Sequence, residues 1–179
     1  MPIAVTDMAF FRSTPSGEPN TKNQSIGGAI SAVQIYPPFN DNPASPTYNR
    51  FMRDFGNDDR DEGISQYHCI FLKNKHATLT ATQIKVWFSA VTPNPDTYSR
   101  MGLDPNPKNT SAVTIPNEWT SPDNVDFDTR HNAPNEAIAF PDLAPNDYKG
   151  LWVEIEVKPN SAKYNKDWFE IRVELNTPA

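Results

Sequence analysis

Residues 66–91 read QYHCIFLKNKHATLTATQIKVWFSAV. In the first run, Tyr67, Cys69 and Phe71 fall on one face, and His68, Ile70 and Leu72 on the other. In the second, Ile84, Val86 and Phe88 alternate with Lys85, Trp87 and Ser89. A period of two is the period of a strand. The polar join around Asn74 and the Thr78–Leu79–Thr80 step read as a corner in a β-sandwich. On this reading Cys69 is a small buried apolar residue and His68 a core or rim histidine.

Working outward, the C-terminal portion repeats the pattern. Leu151, Val153, Ile155 and Val157 share one face; Trp152, Glu154, Glu156 and Lys158 share the other. Phe169, Ile171, Val173 and Leu175 then alternate with Trp168, Glu170, Arg172 and Glu174. One apolar and one charged face predict an antiparallel sheet wet on one side. A connection over Lys158–Lys166 would make the two runs a hairpin, with Glu154 or Glu156 beside Arg172. Between the two pairs, Pro93-Asn94-Pro95-Asp96 is a turn. Thr97–Leu103, Ser111–Ile115 and Glu136–Phe140 are short strand candidates.

Upstream of residue 63 the signals thin out. Ala29–Tyr36 follows Gly27–Gly28, alternates, and stops at Pro37–Pro38, which suits an edge strand. Ile3–Val5 and Met8–Phe11 are apolar patches between polar, Pro-rich stretches, and Asn49–Phe55 has the composition of a helical turn or two. The chain holds 18 Pro against 7 Gly, which disfavours helices and favours extended connections. The expected architecture is all-β: an antiparallel β-sandwich, immunoglobulin-like or jelly-roll in type, over 63–179. An extended, loop-rich N-terminal arm over 1–62 precedes it.

Charge and cysteine usage narrow the function. The 179 residues carry a formal net charge of −6, and the 16 basic residues are scattered. That argues against phosphate-backbone or anionic-membrane partners. With a single cysteine, Cys69, no intrachain disulfide forms and a thiolate zinc site has one ligand at most. The first residues lack the charged and apolar blocks of a signal peptide, and no window is long and apolar enough to span a bilayer.

Chemistry-bearing patterns are weak. Asn57, Asp59 and Asp61 alternate as in a calcium loop, but Glu62 and His68 stand where that loop needs Gly and an acidic ligand. The spacing of His68, His76 and His131 fits no metal pattern, and neither a phosphate loop nor a nucleophile elbow is present. The expectation is no enzyme, no cofactor and no metal. Trp87, Trp152 and Trp168 fall on the second strand faces, where they would pack under an arm or a subunit. The alternative is that they stack sugars, making the chain a carbohydrate-binding, lectin-like sandwich used in host attachment.

Short motifs recur in order along most of the chain. They are Phe10-Phe11-Arg12-Ser13, Gly27–Ser31, Tyr67-His68-Cys69-Ile70 leading to Lys73-Asn74, and Ile84–Phe88. Thr92-Pro93 with Asp96-Thr97, Gly102-Leu103-Asp104, Leu151-Trp152-Val153 and Asp167–Glu174 follow. In this order the chain resembles a group of virion structural proteins of tailed bacteriophages. In that group the residue between Tyr and Cys is usually Arg; here it is His68. The resemblance implies a non-enzymatic particle component, on the capsid exterior as decoration or cement, or at the collar or tail. Its partners would be copies of itself, as a homo-oligomer, and other virion proteins. It would be assembled in the bacterial host cytoplasm and reside in the virion. The arm would supply the subunit contacts, through Phe10, Phe11, Arg12, Ile30, Ile35 and Tyr36.

Overall fold

The computed structural model describes residues 2–15, 25–35, 55–162 and 169–176. Eight strands and one short α-helix are present among them, besides 3-10 turns at Val5–Asp7 and Pro134–Glu136: β1 (Met8–Thr14), β2 (Ala29–Ile35), α1 (Asn57–Glu62), β3 (Ile64–Asn74), β4 (Thr82–Ala90), β5 (Thr97–Leu103), β6 (Ile138–Ala139), β7 (Tyr148–Val157) and β8 (Glu170–Asn176). They form two antiparallel sheets, one ordered β2-β1-β3-β7-β5 and the other β6-β4-β8. The sheets pack face to face as an all-β sandwich.

β3 and β4 lie in different sheets, so the chain between them turns the corner that its polar composition predicts. Asn74 makes that corner. It is fully buried, and its amide donates to the carbonyls of Leu79 and Leu143 at 2.8 Å each while accepting from the His76 N–H at 2.9 Å. His76 Nδ1 in turn accepts from the N–H groups of Thr78 and Leu79. One amide and one imidazole thus replace the ladder partners that the backbone loses on leaving the sheet.

The core between the sheets is built from one face of each strand. Ile70 and Leu72 of β3, Met101 of β5 and Leu151, Val153 and Ile155 of β7 meet Ile84, Val86 and Phe88 of β4, with Phe140 and Leu143 at the margin. The opposite face of the large sheet is not wet. Cys69, Phe71 and Trp152 form a second buried cluster there with Ala112 and Ile115, and Val113, Val125 and Phe127 pack against it. The connection across residues 104–137 folds over that face, so β3 and β7 are buried on both sides.

The N-terminal segments are partly sheet. β1 pairs with β3 from Met8↔Asn74 to Arg12↔Ile70, and β2 pairs with β1. Over 8–14 and 29–35 the chain therefore belongs to the sandwich rather than to a free arm, while residues 16–24 and 36–54 lie outside the described residues, as does most of the Asn49–Phe55 turn candidate. Among the described residues β2 is the outermost strand of its sheet, the edge position its sequence predicts. Gly27 and Gly28, at φ +89 and +79, let the chain enter it: a Cβ on Gly27 would lie 1.7 Å from the Val113 carbonyl oxygen. Elsewhere asparagine supplies left-handed turns in a glycine-poor chain, at Asn109, Asn124, Asn146 and Asn160. Its short amide tolerates that region better than most side chains.

Two pairings differ from expectation. β7 does not pair with β8; it lies between β3 and β5, and β8 joins β4. Glu154 and Glu156 meet Arg100 of β5 at 2.9 and 2.6 Å, and Arg172 lies opposite Trp87 instead. β7 and β8 therefore lie in different sheets and close no hairpin. Ser111–Ile115 is not a strand but an irregular segment with one bridge, Gly28↔Ala112, and Glu136–Phe140 shrinks to the two residues of β6.

Candidate functional site

The residues expected at subunit contacts are engaged within the chain. Ile35 belongs to the inter-sheet core and Phe10 packs against it, while Phe11 and Ile30 pack against the second cluster. Arg12 is buried. Tyr36 lies outside the described residues. Their burial within one chain comes from β1 running along β3, a pairing that no local pattern in the sequence announces.

Two of the three tryptophans, Trp87 and Trp152, are not placed for stacking. Trp152 is fully buried and donates its indole N–H to Asp104 Oδ2 at 2.8 Å. Trp87 is buried, with the Arg172 guanidinium 5.7 Å from its ring centre. Neither presents a face to a sugar, and Trp168 lies outside the described residues. The face of β7 expected to be wet is dry at Trp152, because the 104–137 connection covers it.

His68 and Cys69 are both fully buried. Burial, and then the nearby Asp104, push the Cys69 thiol well above its ordinary range, so it stays protonated and unreactive. The acidic run is the helix α1, closed at its start by Asp59 Oδ2 accepting from the Gly56 N–H at 2.6 Å. Among the described residues no group of three or more His, Cys, Asp or Glu could hold a metal ion.

Two features at opposite rims of the large sheet remain open. The first is the outer edge of β2, which faces no other strand among the described residues. Its sequence, AISAVQI, carries no charge and no proline. Edge strands that avoid pairing usually carry one or the other.

The second is a pocket of about 290 Å³ at the β5 rim. The β4–β5 turn contributes Val91, Thr92 and Asn94, and β5 contributes Thr97, Tyr98 and Ser99. The turn is fixed locally: Asn94 accepts from the N–H groups of Asp96 (3.0 Å) and Thr97 (3.2 Å), and the Thr92 hydroxyl donates to the Thr97 carbonyl at 2.8 Å. Arg130 closes the pocket from the 104–137 connection, its guanidinium 4.0 Å from the Tyr98 ring centre. Lys158, just past β7, places its ammonium 4.5 Å from the same centre and donates to the Tyr98 hydroxyl at 2.6 Å. The hydrogen bond from Lys158, and then the Arg130 guanidinium, hold the Tyr98 phenol below its ordinary pKa. Thr97, Tyr98 and Ser99 lie in a strand that the sequence marks; Arg130 is distant in sequence and no periodicity links it to them.

No known protein family matches the chain, and neither curated proteins nor solved structures yield a match.

Proposed function

We propose that the chain is a non-enzymatic structural subunit of a tailed-phage particle, joined to its neighbours by β-strand addition at the β2 edge. One observation carries the reading: a seven-residue, uncharged, proline-free strand at the rim of a five-stranded sheet. Such an edge offers a row of main-chain donors and acceptors to an extended segment of another subunit. The ordered motif resemblance to virion structural proteins supports the same role. In a symmetric particle each such contact recurs in every subunit, so a modest edge suffices.

The test places a charge on the edge. Ala32 is exposed at mid-strand, and Ala32→Lys should leave the circular dichroism spectrum unchanged while reducing incorporation into particles. Ala32→Pro should reduce it further. Normal incorporation of both folded variants would refute edge pairing.

A further inference from the structure

The small sheet ends on β8, whose outer edge faces no strand among the described residues. The apolar row beside that edge is under-covered. Val86 and Phe88 of β4 are fully buried, yet their ladder partners Val173 and Ile171, and Leu175 beyond them, are only half-buried. All five pack in the inter-sheet core. β4 has a strand on each side and β8 on one side only, so water reaches this row from the open edge.

The charges of β8 lie on its other face and are unspent. Glu170, Arg172, Glu174 and Asn176 are all exposed. The Arg172 guanidinium stands 5.7 Å from the Trp87 ring centre, and Glu174 lies opposite Lys85 in the ladder. The ion pairs among the described residues join Arg100 and Lys108 to other carboxylates; neither Arg172 nor Glu174 is in one. The strand, EIRVELN, is also symmetric in kind about Val173. A cation precedes the centre by one residue and an anion follows it by one. Ile171 and Leu175 stand two residues out on either side.

Antiparallel pairing of β8 with the β8 of a second copy about that centre overlaps the whole strand. Arg172 then faces Glu174 of the copy, and Glu174 faces the copy's Arg172. Ile171 faces the copy's Leu175, Val173 faces its own counterpart, and the Glu170 carboxylate meets the copy's Asn176 amide. Directly opposed residues point to the same face, so the apolar row stays in the core and the charges stay outside. Moving the axis by one residue sets Arg172 against Arg172, or Glu174 against Glu174, and like charges directly opposite are destabilising. Charges on an edge commonly discourage pairing; here they discourage the neighbouring registers and favour this one. No proline and no core-facing charge blocks the strand.

We propose that a second copy of this chain docks on the β8 edge, about a two-fold axis at Val173, joining two three-stranded sheets into one of six strands. The contact is isologous, the same patch meeting itself. Main-chain hydrogen bonds supply the attachment, and the two Arg172–Glu174 pairs set the register. β2 lies in the other sheet, so this dimer does not rest on the edge assigned to particle contacts or on any role in a particle.

The experiment measures the mass of the full chain by sedimentation equilibrium. The native chain should sediment at twice the mass of one chain. Arg172→Glu sets two anions of one copy against two of the other, and Glu174→Arg does the same with cations. Each should weaken the dimer at least about tenfold, because two attractive pairs become two repulsive ones. Both side chains are exposed, so the circular dichroism spectrum should not change. An equimolar mixture of the two variants opposes the anions of one to the cations of the other and should restore the dimer. A native chain that stays monomeric at high micromolar concentration overturns the proposal and leaves the edge to a strand of another protein. So does either variant dimerising as the native chain does, or a mixture that stays monomeric.

Discussion

The indole N–H of Trp152 donates to Asp104 Oδ2 across 2.8 Å, and both side chains are buried beneath the 104–137 connection. The same oxygen accepts from the Val113 N–H at 3.0 Å, and Oδ1 accepts from the Asn106 N–H at 3.0 Å. One side chain at the end of β5 thus ties the covering connection to the middle of β7. Asp104→Ala leaves three donors unsatisfied and should cost about 3 kcal/mol, since each buried orphan donor costs about 1–3 kcal/mol before relaxation. Trp152→Phe should cost less, and the double variant should fall short of the sum. Urea unfolding of the four proteins measures this; strict additivity would mean that the bond contributes nothing of its own.

No local sequence pattern marks this connection as the cover of the sheet. β3, β4 and β7 were legible from the period of two in their apolar runs, and β5 from the turn residues that bound it. The edge character of β2 was legible from Pro37–Pro38. What was not legible was polarity inverted by hydrogen bonding. Ser13, Thr14 and Ser25 are buried polar residues, and the Ser25 hydroxyl donates to the Cys69 carbonyl at 2.7 Å and accepts from the Ser13 N–H at 3.2 Å. A stretch reading Arg-Ser-Thr looks like solvent-facing arm until its partners are known. The Arg130–Tyr98 contact is tertiary, and nothing local marks either residue.

Arg100 bridges two carboxylates of β7, reaching Glu154 at 2.9 Å and Glu156 at 2.6 Å. Burial works against its charge, but the two partners outweigh it and raise its pKa. Arg100→Met should cost about 2 kcal/mol, chiefly by leaving the buried Glu154 with only the Tyr67 hydroxyl, at 2.9 Å. A loss as small as that of an exposed ion pair, about 0.5 kcal/mol, would show that Glu154 finds water instead.

Tyr67 gives that cluster an alkaline limit. Burial, and then the charge of Glu154, raise its phenol above 10.0. The unfolded chain therefore loses the phenolic proton first. The contribution of Tyr67 is fully present below the unfolded value and is lost as pH rises through the folded one. Tyr67→Phe should narrow the fall in unfolding midpoint that the native chain shows as pH climbs past 10.0. Parallel curves for the two proteins across that range would remove Tyr67 from the explanation.

Gly102 is where the covering connection touches β5. A Cβ there would lie 2.4 Å from Val125 Cγ1 and 2.5 Å from the Asp126 carbonyl oxygen. Gly102→Ala must push residues 125–126 outward, at a cost of about 2 kcal/mol for overpacking. Unchanged stability would mean that the connection yields freely at this point.

Gln66 offers the opposite sign. It is fully buried, and neither its amide oxygen nor its nitrogen has a hydrogen-bond partner. It shares a face of the large sheet with Ile70 and Leu72, and its neighbour across the ladder is Ile155. An unpaired amide in such surroundings costs about 1–3 kcal/mol on mutational scales. Gln66→Met keeps the length of the side chain and removes the polar atoms. The variant should unfold at a higher urea concentration, with a gain of about 1–2 kcal/mol and no change in the dependence on denaturant. Methionine fits because its unbranched thioether adapts to the space a glutamine leaves. A destabilised Gln66→Met variant would show that ordered water satisfies the amide in solution.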